Sequence, residues 1–281
     1  MTITAKSVLA SISESGKRID TLLLRYPRFI HAEFMTHRQF SRNASSSRAI
    51  PVERLIADVE ADPVFPSFWG KNQPGMQAFD ELDDVSREKS KDAWRRAMYS
   101  ATNYAWIMAR EGAHKQIVNR ILEPFSHINV VVTSTEWENF DALRIHEDAQ
   151  PEIRELAEAM RDARNQATVQ ELWNGEWHLP FLSQEELDLN GGEEDPSGNL
   201  RIVSAARCAR TSYKTHDGRV STLEEDIALG NRLTKSAPFH ASPFEQQATP
   251  DTFNGGDDCW HEPQLHRNFV GWIQNRALME V

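Results

Sequence analysis

The sequence predicts an α+β fold. Strand candidates cluster near the N-terminus, and long segments with apolar residues at helical spacing follow them. Ser7 to Ser13 alternates, 14–17 reads as a turn, and Arg18 to Tyr26 carries Ile19 and Leu22-Leu23-Leu24, which together predict a hairpin. Pro27 interrupts, and Arg28 to Phe40 reads as a resumed apolar strand leading into a polar loop at 41–48. A short helix is expected over 52–61, a loop over 62–75 and the longest helix over 86–110, where Trp94, Ala97, Met98, Ala101, Ala105 and Met108 lie near helical spacing. A helix over 114–122 stops at Pro124, and 129–133 fits either a buried strand or a helix segment. Helices are then expected over 135–144, from Pro151 to about Leu172, and over 201–212. Ser221 with Glu224 reads as a capping box before Ile227, Leu229 and Leu233, and a short helix near 269–278 closes the chain.

Length and charge narrow the function. The chain has 281 residues, 40% hydrophobic and 26% charged. That makes one large domain or two modest ones at about 100–200 residues each. The acidic run 183–199 is the best boundary, between 1–182 and 200–281. No apolar run reaches the roughly 18 residues of a membrane helix, and the first residues carry no secretory apolar core. The net charge of −11 disfavours stable nucleic-acid binding. Cys208 and Cys259 are too few for a disulfide framework and point to a reducing, cytoplasmic setting. No cluster at metal-ligand spacing appears, and His146-Glu147-Asp148 reads as a polar helix end.

The densest polar cluster runs from Thr36 to Arg48 and holds His37, Arg38, Arg42 and Arg48 among the serines 41, 45, 46 and 47. The residue types fit two readings, a solvated basic loop or a cradle for phosphate, in which guanidiniums give paired donors and hydroxyls complete the shell.

The pattern His37-Arg38-x-x-Ser41-x-Asn43-x-x-Ser46-x-Arg48 resembles the signature of the flavin-dependent thymidylate synthases, the ThyX family, written R-H-R-x-x-S-x-x-x-x-S-x-R. Further segments are similar: Val118 to Pro124 to V-A-R-x-x-L-P, and Asn139 to Arg144 with Asp148 to Ile153 to N-F-x-x-L-R…A-Q-x-E-I. Ala205-Ala206-Arg207 with Thr211-Ser212-Tyr213, then His240 to Glu245, resembles A-A-R-x-S-[FY] and H-x-[ST]-P-F-E. In the family these last segments come first. One cyclic shift restores the order, so the chain resembles a circularly permuted relative whose acidic linker lies near the joined old termini.

The resemblance implies a thymidylate-synthase-complementing-protein-like α+β fold with a central antiparallel sheet and long helices, in permuted order. It implies a homotetramer that methylates dUMP to dTMP, with methylenetetrahydrofolate as carbon donor and FAD reduced by NADPH. By position it places His37, Arg38, Asn139, Ser242 and His240 at the flavin or folate, and Arg38, Ser46, Ser47, Arg48, Arg120 and Arg144 at dUMP. Arg144 is the expected catalytic group: a guanidinium at the N3/O4 edge of uracil stabilises negative charge there and makes C5 nucleophilic, with no protein nucleophile needed. Cys208, between arginines, reads better as a buried helix residue than as a thiolate.

The sequence also departs from the pattern. Thr36 replaces the first signature arginine, Glu33 stands where glutamine is usual, and Ala44 replaces an acidic residue. Arg42, Gln274 and Arg276 offer compensation if the terminal segment folds back; otherwise that segment packs as a terminal helix. The departures motivate an alternative product, 5-hydroxymethyl-dUMP, and a further alternative without catalysis, a flavin- or nucleotide-binding protein.

Overall fold

The computed structural model describes residues 3–211 and 221–280. A hairpin of β1 (Thr4–Ser13) and β2 (Arg18–Pro27) opens the chain as predicted. The stretch after Pro27 is not a strand. A 3-10 turn at Arg28–Ile30 runs into α1 (His31–Phe34). Ile30 and Phe34, four apart, bury on one side, and the Tyr26 hydroxyl bonds His31 Nδ1 at 2.8 Å. A short apolar run does not distinguish strand from helix by periodicity, and here the i, i+4 pair decides. β3 (Ser41–Ala44) and a 3-10 turn at Ser47–Ala49 occupy the expected polar loop.

The next elements are α2 (Val52–Ala61), α3 (Asp84–Arg110, capped by Asp83), α4 (Lys115–Val118) and a 3-10 run at Asn119–Phe125 that contains Pro124. The single helix expected over 114–122 is therefore split. Residues 129–133 lie in β4 (His127–Ser134). α5 (Glu138–Arg144) and α6 (Pro151–Asn165) follow, and α6 stops short of Leu172 because Val169–Leu172 forms β5 beside β1. The aromatic loop does not stand free: Trp94 Nε1 donates to Val64 O at 2.8 Å, Trp69 meets Trp94 edge-on, and Ser67 N donates to Glu152.

The acidic segment 183–199 contains α7 (Gln184–Leu189), with a capping box between Ser183 and Glu186, and a 3-10 turn at Gly192–Glu194. It is tied to α8 (Asn199–Ala209), where Arg207 binds Glu186 and buried Asp226. The Arg207 hydrogen bond pulls the Glu186 carboxyl down to about 2. α9 (Leu223–Lys235) begins one residue later than predicted. Thr222 and Glu225 make the box, while Ser221 donates to Asp226 at 2.6 Å. Gly230 lets α9 approach α8, since a Cβ there would lie 2.4 Å from Ile202 Cγ2. β6 (Ala248–Pro250), the small β7 (Phe253–Asn254) and β8 (Cys259–Trp260) pair, β9 (Trp272–Gln274) and α10 (Asn275–Met279) complete the fold. The expected terminal helix is therefore half strand, because β9 pairs with β6.

The central sheet is mixed, in the order β3-β4-β2-β1-β5, antiparallel throughout except for β5 on β1. One face is apolar. Leu22, Leu24 and Tyr26 oppose Val132, Val130 and Ile128, under Ile153, Leu156 and Met160 of α6 and the rings of Phe34, Phe40, Trp137 and Phe140. Each such full burial contributes roughly 1.5–3 kcal/mol. The other face is also buried but partly polar: Ser11, Thr21 and Thr133 lie beneath His178 and Gln246.

Thr133 Oγ1 is 2.7 Å from both Thr21 Oγ1 and Gln246 Oε1. Thr133→Val strands those buried groups and should cost about 1–3 kcal/mol in urea denaturation. Burial, helped by arginines at the first three of them, holds His31, His37 and His127 down to about 4 and His178 to about 3. Unfolded, these rings titrate near 6.5, so unfolding takes up protons between that value and about 4. Folding stability should therefore be full above pH 6.5 and fall steadily as pH drops towards 4, as denaturation at pH 7 and pH 5 would measure.

Candidate functional site

The signature loop is positioned by β3, the edge strand on β4. Its backbone is held from inside by Arg42, whose Nη1 donates to the carbonyls of Phe34, Met35 and His37 at 3.0–3.2 Å. Arg42 is thus engaged by the loop itself and does not replace the missing signature arginine as a free cation. Thr36, at that position, donates its hydroxyl to Glu33 O at 2.7 Å.

His37 and Arg144 meet, although 107 residues separate them. Arg144 Nε donates to His37 Nε2 at 2.9 Å, and Arg144 Nη1 pairs with Glu33 at 3.3 Å. The donor must be the guanidinium, so Nε2 accepts and the His37 proton sits on Nδ1. Burial, then the nearby Arg144 and Arg42, keep the ring neutral by lowering its pKa to about 4. The ring also packs edge-on against Phe140 at 4.8 Å. Arg144 ends α5, where a cation complements the helix dipole. Its Nη2 makes no hydrogen bond among the described residues. Asn139, on the same helix, is exposed and has no hydrogen-bond partner among the described residues.

The second half of the loop makes a different set of contacts. Asn43 Nδ2 donates to Cys208 O at 2.6 Å and to Thr211 Oγ1 at 3.2 Å, while Ser242 Oγ donates to Asn43 Oδ1 at 3.1 Å. The segments 205–211 and 240–245 therefore lie against the signature strand. Ser212 and Tyr213 lie outside the described residues. His240 is exposed ahead of the Ser242 turn, and its backbone N–H donates to Leu233 O. Ser47 is buried and donates to Glu123 Oε1 at 2.6 Å, the atom that Arg120 Nη1 reaches at 2.9 Å. The Ser46 carbonyl accepts from Ala49 N. Arg38 and Arg48 are exposed and form no ion pair among the described residues.

Cys208 is fully buried, and burial pushes its thiol well up, out of the nucleophile range. Sequence reasoning did not foresee Asn43 as the meeting point of the two halves, or Glu123 as the shared acceptor of Ser47 and Arg120. Neither Asn43 nor Glu123 carries a local signal for a partner so distant in sequence. The terminal segment does return to the loop: Gln274, 1% exposed, donates to Ser41 Oγ at 3.0 Å, and Asn268 Nδ2 donates to Gln39 O at 2.9 Å.

Replacing Asn43 with Ala should destabilise the fold by about 1–3 kcal/mol, because it leaves the Cys208 carbonyl and the Ser242 hydroxyl short of a partner. Thermal unfolding would measure it, and Asn43→Asp, which turns a carboxylate oxygen towards the Cys208 carbonyl, should recover none of the loss.

The family described as Thymidylate synthase complementing protein matches residues 20–168. No curated protein matches the chain. Among solved structures, the chain is similar to the UMP/dUMP methylase PolB from Streptomyces cacaoi bound with 5-Br UMP, with 19% identity and a TM-score of 0.47 over 58% of this chain and 88% of that one. The same enzyme bound with 5-Br dUMP gives 18% identity and a TM-score of 0.44, over 58% of this chain and 90% of that one.

Proposed function

This chain belongs to the thymidylate synthase complementing protein family, whose match spans more than half of its 281 residues, and from that premise we propose that it methylates dUMP to dTMP with methylenetetrahydrofolate, FAD and NADPH. The observation that carries the reading is Arg144, a guanidinium fixed by a neutral histidine of the signature loop and still open on one side. Uracil becomes nucleophilic at C5 when charge gathers on its N3/O4 edge. A preorganised cation stabilises that charge without reorganising during the reaction. His37 sets the guanidinium plane, Glu33 limits its swing, and the Nη2 donors face the pyrimidine.

The residues fit a flavin nucleotide. Arg38 and Arg48 are exposed cations on the loop with no ion pair among the described residues, and the Asn139 side chain is exposed on the helix that carries Arg144. When bound, reduced FAD supplies the hydride that turns the transferred methylene into a methyl group. In this reading His37, Arg38, Asn139, Ser242 and His240 hold the flavin and folate, and Ser46, Ser47, Arg48 and Arg120 surround the dUMP phosphate. Ser47 must then act through its backbone, because its hydroxyl is held by Glu123. The halves 1–182 and 200–281 make one body joined through 183–199, and the contact of 205–211 and 240–245 with β3 supports a cyclic shift of the family order. Exposed Tyr99, Tyr104 and Ile107 along α3 support a homotetramer.

The Glu33 carboxylate on Arg144 favours a second reading. An anion beside the developing charge weakens the cation's effect and alters the pyrimidine's orientation, and capture of the methylene group by water then gives 5-hydroxymethyl-dUMP. Chromatography of the products from dUMP decides: dTMP alone supports the first reading, and the hydroxymethyl nucleotide the second.

Arg144→Ala should lower kcat by about 10²–10³-fold, in the range of a lost oxyanion donor, while FAD still binds. Loss of FAD with turnover would contradict the assignment. Arg48→Ala should chiefly weaken dUMP binding, read as a raised dissociation constant with little change in the flavin spectrum.

A further inference from the structure

A cavity of about 460 Å³ beside the signature loop has one wall outside the family-matched residues. The loop contributes Arg38 and Arg42, and the C-terminal segment contributes Arg267 and Arg276. Against these guanidiniums stand Glu245 and Glu280. The lining is thus net positive in a chain whose overall charge is −11. Arg38 and Arg42 form no ion pair among the described residues. Arg276 pairs with both Glu245 and Glu280, and Arg267 reaches Glu280 at 3.1 Å.

The wall is built rather than incidental. Gln274 and Asn268 bond each other at 3.0 Å and both bond Ser41, while Trp272 between them is fully buried and donates to Lys17 O. Val270 N donates to Thr135 Oγ1 at 2.9 Å. These contacts fix where Arg276 leaves the strand end. The Arg276–Glu280 pair is of another kind: an i, i+4 pair with side chains 36% and 32% exposed, the class most easily exchanged for another anion.

We propose that the C-terminal segment completes a phosphate site at this cavity, in which Arg276 and Arg38 bind a phosphate group of the ligand and Glu280 is the internal anion that the phosphate displaces. A phosphate suits the arrangement better than a carboxylate. It carries more charge and enough oxygens to serve guanidiniums on opposite walls. The inference rests on the family reaction only for which phosphate it is, the diphosphate of a flavin dinucleotide or the monophosphate of dUMP.

The test is calorimetric titration of the full chain and its Arg276→Gln and Glu280→Gln variants with FAD, riboflavin, dUMP and inorganic pyrophosphate. Arg96→Gln, on the exposed side of α3, is the control for general charge. Arg276→Gln should weaken the phosphate ligand at least tenfold. Glu280→Gln should tighten it several-fold, a gain that misfolding cannot imitate. An effect on FAD with none on riboflavin or dUMP assigns the dinucleotide, and an effect on dUMP alone assigns the monophosphate. Unchanged affinities in both variants, with FAD and dUMP bound, overturn the inference and leave the proposed function standing. Pyrophosphate bound through Arg276 with neither FAD nor dUMP bound supports the site and removes the flavin reading. A chain that binds no phosphate compound overturns both.

Discussion

Thr133 lies at the middle of a buried chain of hydrogen bonds that joins the two halves of the molecule. Thr133 Oγ1 donates to Gln246 Oε1, so its hydroxyl proton is spent and it accepts from Thr21. Thr21 has then spent its own proton and accepts from His178 Nε2. The neutral imidazole must accept at Nδ1, and Ser11 donates there while accepting from Gln170. Gln246 passes the chain to the carbonyl of Ser242, whose hydroxyl donates to Asn43. Every member is satisfied only if His178 stays neutral, and burial secures that. Such a network is costly when incomplete and specific when complete. It fixes the Ser242 turn, and through it the signature strand, to the middle of the sheet.

This dependence explains what the sequence could disclose. Where a turn signal or helical spacing marks an element the reading was direct: the β1–β2 hairpin, α2, and α3 to within two residues at its start. It failed where a partner distant in sequence decides. β5 takes the end of the expected α6 because β1 offers an edge, and β9 takes the start of the expected terminal helix because β6 does. The run after Pro27 carries too few residues to show its period, and the packing of Ile30 and Phe34 settles it. The candidate residues were legible as types, since His37, Arg38, Asn139 and Arg144 stand in recognisable spacings. Their connections were not, because no local pattern announces that Arg144 will bond His37 or that Asn43 will receive Ser242.

The departures from the family signature acquire a physical sense together. Without the first arginine, the loop has one cation fewer. Arg42 ties three loop carbonyls from inside. In the proposed phosphate site, the missing charge is supplied from elsewhere in the chain. Arg267 and Arg276 bring guanidiniums to the same cavity from a segment that begins after the small β7–β8 pair.

That segment is anchored by an independent device. Asp251 accepts from His266 Nε2 at 2.8 Å and from the backbone of Thr252 and Glu262, while His266 Nδ1 accepts from Gly271 N. Both side chains are buried, so the excursion 251–271 is closed at its base and β9 is delivered to β6 in one register. A terminal segment held this firmly costs conformational entropy along its whole length. Packing of Trp272 offsets part of that cost. The polar bonds of Gln274 and Asn268 to the signature strand offset little, since each replaces a bond to water. What they add is position: they set the strand end from which Arg276 reaches the loop, and a guanidinium there changes the charge of the site without changing the sheet that carries it.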